Sequence, residues 1–309
     1  MINNLRNKEK LIQRINELYF DLIYDEYDVS HPSIILLEKE RWNKIANNYL
    51  KTNFPMRLID IGTGTGFVPL NIAKYLKNED FLVCTDLSKS ILDKAKNNIN
   101  KGNYRCNFEF IKLDKAIPFK FPFDSEYADI ITMNSVLHHV YDIDNFIREI
   151  DRILKHKGLL IIGHEPNKKF YENKILWYNY KLIKNLIHPR YTLKRIIKTF
   201  SRKKNLEKES LKKKNITRVI NNILLKERII KKPLNYGKIY RFKDIRSKDG
   251  FMPDFLFKSY KILYFETYNY LHSVYYEFYN HLFIKIYERI FRLIFPNNGS
   301  KFAVVYKKR

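Results

Sequence analysis

Between Leu58 and Gly66 the chain reads Leu-Ile-Asp-Ile-Gly-Thr-Gly-Thr-Gly. An apolar run ending in Gly62, Gly64 and Gly66 predicts a strand followed by a tight turn, where missing Cβ atoms let backbone N–H groups approach a ligand. The spacing is G-x-G-x-G. A dinucleotide fingerprint, G-x-G-x-x-G, needs its third glycine at the position held by Phe67. Asp60 precedes the glycines; a carboxylate there repels a pyrophosphate but suits a cationic amino-acid group, met directly or through water. Asp86, twenty residues beyond Gly66, ends the next apolar run, where it can accept from both ribose hydroxyls. Asp114 closes a third run and could accept from an adenine amino group. Any one of these aspartates could be a turn residue or a helix cap. Three at successive strand ends is the more specific pattern.

Other side chains with chemistry lie further along. His138 and His139 follow the fourth predicted strand, and His164 and Glu165 follow the fifth. Strand ends of open α/β sheets line ligand crevices, and histidine titrates nearest neutrality. His138, His139 and His164 are therefore candidate catalytic residues, with packing or capping as the alternative for the His-His pair. His164, Glu165, Tyr24 and Tyr27 are candidate substrate contacts; the two tyrosines could instead pack in the core. Cys84 and Cys106 can build no disulfide framework and lack metal-ligand spacing, so no metal and a reducing, cytoplasmic compartment are expected.

The elements that must position these groups follow from periodicity. Residues 1–50 predict two helices as a cap, the first carrying Leu11, Ile15, Leu18 and Leu22 at helical spacing, the second running over Ser33–Leu50. Residues 51–165 alternate strands (Arg57–Ile61, Phe81–Thr85, Phe108–Leu113, Ala128–Met133, Leu159–Gly163) with helices (Val68–Leu76, Ser88–Asn100, Ile143–Lys155), with Gly158 as a helix stop. That alternation predicts a parallel sheet with helices on both faces. Residues 166–250 predict a basic helical insertion, including Ile175–Ile187 and Ile216–Ile230. Residues 251–309 predict two further strands, Tyr260–Tyr270 and Lys301–Tyr306, around an aromatic helix at Val274–Phe295. The polar residues of that helix (Glu277, His281, Lys285, Glu288, Arg289, Arg292) make a narrow stripe on an otherwise apolar surface.

On Leu58–Phe67, Cys84–Leu87, Phe110–Asp114 and Asp129–Gly163, with its Asn134-Ser-Val-Leu-His-His-Val core, the sequence resembles class I (Rossmann-like) S-adenosylmethionine-dependent methyltransferases of the small-molecule type, close to the ubiquinone/menaquinone-biosynthesis group. The resemblance covers roughly residues 20–165 and the final strands. It implies a seven-stranded, mostly parallel α/β sheet whose last two strands form an antiparallel hairpin, with the basic and aromatic segments inserted as a lid. It implies S-adenosylmethionine as cofactor and S-adenosylhomocysteine as product. Gly62, Gly64 and Gly66 would face the methionine part, Asp86 the ribose and Asp114 the adenine, with Asp60, Thr63 and Leu87 in the same set and Asn134 beside the sulfonium.

Charge is distributed unevenly. Residues 1–165 hold 23 Lys+Arg and 23 Asp+Glu, whereas residues 166–309 hold 35 and 10, so the net +25 belongs to the second half. Genome base bias would act on both halves alike. The excess suggests an anionic partner, or else solvated lysine-rich helices with none. An apolar small-molecule substrate near an anionic membrane surface is the first reading. The alternatives are a tRNA-type RNA methyltransferase gripping phosphates, and a non-catalytic cofactor-binding or scaffold subunit. The strand-four end Met133-Asn-Ser-Val lacks the Asn/Asp-Pro-Pro-aromatic motif of many base-amino methyltransferases, and no Pro-Cys pair supports the cysteine-based mechanism at C5. The first ten residues are polar, unlike a signal peptide, and no uncharged apolar run reaches the roughly 18 residues of a membrane span.

Overall fold

The computed structural model describes residues 2–24, 32–197, 199–246, 249–274 and 280–309. Its centre is a seven-stranded sheet in the order β3-β2-β1-β4-β5-β7-β6. The strands are β1 (Arg57–Ile61), β2 (Phe81–Asp86), β3 (Asn107–Lys112), β4 (Ala128–Asn134), β5 (Leu154–Pro166), β6 (Lys261–Tyr268) and β7 (Lys301–Lys307). Strands β1 to β5 are parallel, and β7 runs antiparallel between β5 and β6. Central strands are covered on both faces and therefore read as unbroken apolar runs: Leu58, Ile59 and Ile61 are all buried. The chain leaves β1 toward β2 on one side and reaches β4 on the other. That switch of direction opens a crevice at the carboxyl ends of β1 and β4, where α/β sheets bind ligands.

Helices α1 (Ile2–Ile23) and α2 (Pro32–Tyr49) precede the sheet; α3 (Phe67–Ile72), α4 (Lys89–Asn100) and α5 (Ile143–Ile153) connect its parallel strands. α2, α3 and α4 pack one face through Trp42, Ile45, Val68, Ile72, Leu92 and Ile99. α5 packs the other through Phe146, Ile150 and Ile153, spaced four and three apart so that they share one stripe. Its start is fixed by Asp142, whose carboxylate accepts the Asn145 N–H at 3.0 Å, a cap that contributes about 1 kcal/mol. It ends at Ile153, two residues earlier than its sequence predicts, because Leu154 is already extended and pairs with Ala128 of β4. Gly158 is thus a strand residue and not a helix stop.

Short helix α6 (Lys168–Glu172) follows β5, and the basic block then forms α7 (Lys174–Ile197), α8 (Thr199–Lys226) and α9 (Tyr236–Lys243). α8 and α9 brace α1 from behind: Ile216, Ile220, Leu224 and Ile239 enclose Ile15, Leu18 and Tyr19. Arg14 of α1 also forks onto Glu227. After the short α10 (Pro253–Leu256) and β6, the aromatic segment differs from expectation. Residues 275–279 lie outside the described residues, His281 is extended, and α11 covers only Leu282–Ile294. Its polar stripe is not solvated throughout, since Glu288 is buried and accepts the Leu271 N–H at 3.1 Å. Among the described residues, no helix is long and apolar enough to cross a membrane.

Candidate active site

A cleft of about 1030 Å³, counted out to its mouth, opens at the switch point. Its floor is the glycine turn. Gly62, Gly64 and Gly66 have φ of +65°, +56° and +96°, a region that costs any residue with a Cβ. A Cβ on Gly62 would lie 2.6 Å from Val136 Cγ2, whereas one on Gly64 would enter open space. Gly62 and Gly64 line the cleft. Gly66 caps α3 beneath it. Thr63 is buried and serves the turn: its N–H donates to the Thr85 carbonyl and its hydroxyl to the Asp60 carbonyl.

The carboxylates divide. Asp86 lines the cleft, accepting the Gly64 N–H at 3.0 Å on Oδ2 and the Ser88 N–H at 3.0 Å on Oδ1. Burial pushes its pKa up to about 6. Asp60 is buried under the turn; Oδ1 accepts the Thr132 hydroxyl at 2.6 Å, and Oδ2 has no hydrogen-bond partner. Burial raises its pKa to about 7. A buried carboxylate oxygen with nothing to accept from is costly; Asp60 itself does not line the cleft. Asp114, expected near the adenine, is exposed and does not line the cleft; from that strand end Leu113 does. Leu87 and Asn134 both line it, and Trp42 Nε1 donates to Asn134 Oδ1 at 2.9 Å, which turns the amide N–H groups the other way.

The histidines and Glu165 sit differently from their sequence reading. β5 does not stop at Gly163; it continues to Pro166 through a bulge between Ile162 and Glu165, with His164 at φ +57°. The bulge breaks the in-out alternation of side chains. His164 is buried against α2, its Nδ1 3.0 Å from Glu38 Oε1, and does not line the cleft. Glu38 is held down to about pKa 2 by Arg41 and His164 against the cost of its burial. Glu165 does not line the cleft either. Its carboxylate accepts the N–H groups of Val136, Leu137 and His138 at 2.5, 2.8 and 3.3 Å, and faces His138 Nδ1 at 2.9 Å. It clamps the loop after β4. His138, so engaged, is buried behind the loop and absent from the cleft wall.

His139 does reach the cleft. Its Nδ1 lies 2.6 Å from the Lys243 carbonyl, which can only accept, so Nδ1 carries the proton and Nε2 the lone pair. Asp244 Oδ1 is 3.4 Å from the same Nδ1 and 3.0 Å from Lys243 Nζ. Burial and the neighbouring His138 hold His139 neutral, its pKa down to about 3. His138, His139 and Asp244 bring three ligand-type atoms within 4.8 Å, but the cation at Asp244 is the Lys243 ammonium.

The roof is α1. Glu9, Gln13, Asn16, Glu17 and Phe20, on one helical face, line the cleft, and Phe20 meets the His139 ring edge-on at 5.5 Å. Glu17 ties the roof to the end of β3 through Lys112 and Lys115. Tyr24 lies past this face, its carbonyl accepting from Lys94 at 2.7 Å, and does not line the cleft. Tyr27 lies outside the described residues. The roof residues, Ser135, Trp42 and the Lys243-Asp244 pair were missed by sequence reasoning. Only the polar spacing of Glu9, Gln13, Asn16 and Glu17 was a signal for them.

The strand order is that of the class I, Rossmann-like methyltransferase fold. In agreement, residues 59–162 match the family model described as a methyltransferase domain. The chain is similar to the ubiquinone/menaquinone biosynthesis C-methyltransferase UbiE of Vibrio parahaemolyticus, 22% identical over 53% of this chain and 64% of that protein. It is 26% identical to the demethylmenaquinone methyltransferase of Bacteroides fragilis over 50% of this chain and 62% of that one. The matches thus span about three fifths of these relatives' length. Among solved structures, the YcgJ protein of Bacillus subtilis aligns over 87% of this chain and 99% of its own at 14% identity and a TM-score of 0.42.

Proposed function

We propose that this chain is a cytoplasmic enzyme that transfers the methyl group of S-adenosylmethionine to an oxygen or carbon centre of a small, partly apolar molecule. The observation that carries this reading is one continuous cleft. Its first half has the glycine turn, Asp86, Leu87 and Asn134; its second half has Phe20, Phe119, Val140, Phe146 and His139. The unpartnered Asp60 oxygen and the open space above Gly64 fit the cofactor. Gly62, Gly64 and Asp86 would hold it, with Asp60 compensating the charge of its amino-acid end. Relatives named for C-methylation favour a carbon centre.

S-adenosylmethionine supplies a methyl group already activated on a sulfonium. The protein's share is to align the acceptor and exclude water. Apolar side chains and α1 close the second half of the cleft, while the neutral His139 presents Nε2 to the acceptor. For an oxygen acceptor a weak base suffices there, because a hydroxyl becomes strongly acidic as its oxygen gains the methyl. Asp244 beside Nδ1 then stabilises the imidazolium. Calorimetry with S-adenosylhomocysteine tests the cradle. Wild type should bind, Asp86→Ala should bind at least about tenfold more weakly, and His139→Ala should bind like wild type. Unchanged affinity in Asp86→Ala would remove the ribose assignment.

A further inference from the structure

The second half presents a surface that the cleft does not use. α7 and α11 pack on one aromatic core, in which Leu176, Tyr180, Ile284 and Tyr287 meet Phe170, Tyr270, Leu271 and Val274. Each helix turns a second apolar stripe outward. On α7 these are Ile175, Tyr178, Leu182 and Leu186, all more than half exposed, at spacings of three, four and four that set them on one line. On α11 they are Leu282, Ile286, Ile290 and Leu293, with Phe283 and Ile294 beside them; Leu282 and Leu293 are 72% and 78% exposed. Large aliphatic side chains grouped in this way mark an interaction surface.

The charges beside the stripes select the partner. On α7, Lys174 abuts the stripe, Lys181 and Lys184 fall within its span, and the helix sequence, Lys174–Ile197, holds no Asp or Glu. α11 carries Lys285 and Arg289, with Arg292 paired to Glu266 of β6 at 3.2 Å, and its single acidic residue, Glu288, is buried, with burial raising its pKa to about 7. Neither helix therefore offers an exposed carboxylate. Two copies of such a face would repel each other. A nucleic acid would use the cations but leave the aliphatic side chains in water. A bilayer with anionic headgroups satisfies both at once, taking the apolar stripe at the acyl boundary and the cations at the phosphate level.

We infer that α7 and α11 form a docking face for an anionic lipid bilayer, on which the chain lies without spanning it. This inference does not depend on the methyl-transfer reading.

Flotation of the full chain with phosphatidylcholine vesicles, with and without phosphatidylglycerol, tests it. Wild type should float with the anionic vesicles, less so as salt rises, and poorly with the neutral ones. The Leu182→Ser, Leu186→Ser, Ile286→Ser, Ile290→Ser variant should lose at least about tenfold in vesicle affinity. It should keep its circular dichroism spectrum and its S-adenosylhomocysteine affinity, because all four side chains are exposed. Lys285→Glu, Arg289→Glu should lose the preference for anionic vesicles. Three results would overturn the proposal: no flotation with either vesicle, flotation that the four serines leave unchanged, or a dimer in solution that those serines dissolve without any vesicle binding. Tight, salt-sensitive binding of tRNA by a chain that ignores vesicles would assign the charge to nucleic acid instead.

Discussion

The two halves of this chain solve different problems. Residues 1–165 balance 23 basic against 23 acidic side chains and spend their apolar residues on a sheet covered on both faces. Residues 166–309 carry the whole net charge of +25 and leave apolar side chains on the outside. In the first half several polar groups near the cleft have internal tasks. Glu165 holds three backbone N–H groups, Asp86 accepts from Gly64, and Asn134 accepts from Trp42. Among the described residues of the second half, Lys243 and Asp244, at the end of α9, meet the cleft residue His139. Precision is concentrated where a small ligand binds, and surface chemistry is concentrated where a large one could.

The sharpest break of this contrast would come at Glu165. Glu165→Ala leaves buried N–H groups of Val136, Leu137 and His138 without an acceptor. Its expected cost is about 3 kcal/mol or more in urea unfolding. Less than about 1 kcal/mol would mean that the loop after β4 is held by other contacts. At the other extreme, the four serine substitutions on α7 and α11 should change stability by under about 0.5 kcal/mol, as exposed positions do. A large loss there would show that the stripes are core and would erase the contrast.

Much of the first half was legible in the sequence because its signals are local. A strand buried on both faces is an apolar run, a tight turn is a set of glycines, and Asp86 follows the turn at a fixed chain distance. What failed depended on which way a side chain faces. His164 and Glu165 read as strand-end residues, but the β5 bulge at Gly163–His164 sends one to Glu38 and the other into the backbone of the β4 loop. Asp114 was one residue from a lining position that Leu113 holds. Other features rest on partners far away in the chain. The hydrogen bond from His139 to Lys243 joins residues 104 apart, and no periodicity records it. The apolar stripe of Leu11, Ile15 and Leu18 was visible on α1, but its opposite face, the roof of the cleft, was not read. The exposure of the α11 stripe was not legible, because composition does not distinguish a buried isoleucine from an exposed one.

In the proposed function the Asp86 carboxylate seats the ribose of S-adenosylmethionine. Asp86 has its pKa raised to about 6 by burial, and only its ionised form can accept from both hydroxyls. Below that value the free protein holds a proton that binding must displace, so affinity falls as pH falls, by up to about tenfold per pH unit. Asp60, raised to about 7, acts in the same direction. The deciding measurement is calorimetric affinity for S-adenosylhomocysteine between pH 5 and 8, for wild type and Asp86→Asn. On the ribose assignment affinity rises with pH in wild type, with a step near 6 that the variant lacks. A folded wild-type protein that binds nothing, or one whose affinity is flat across that range, would contradict it.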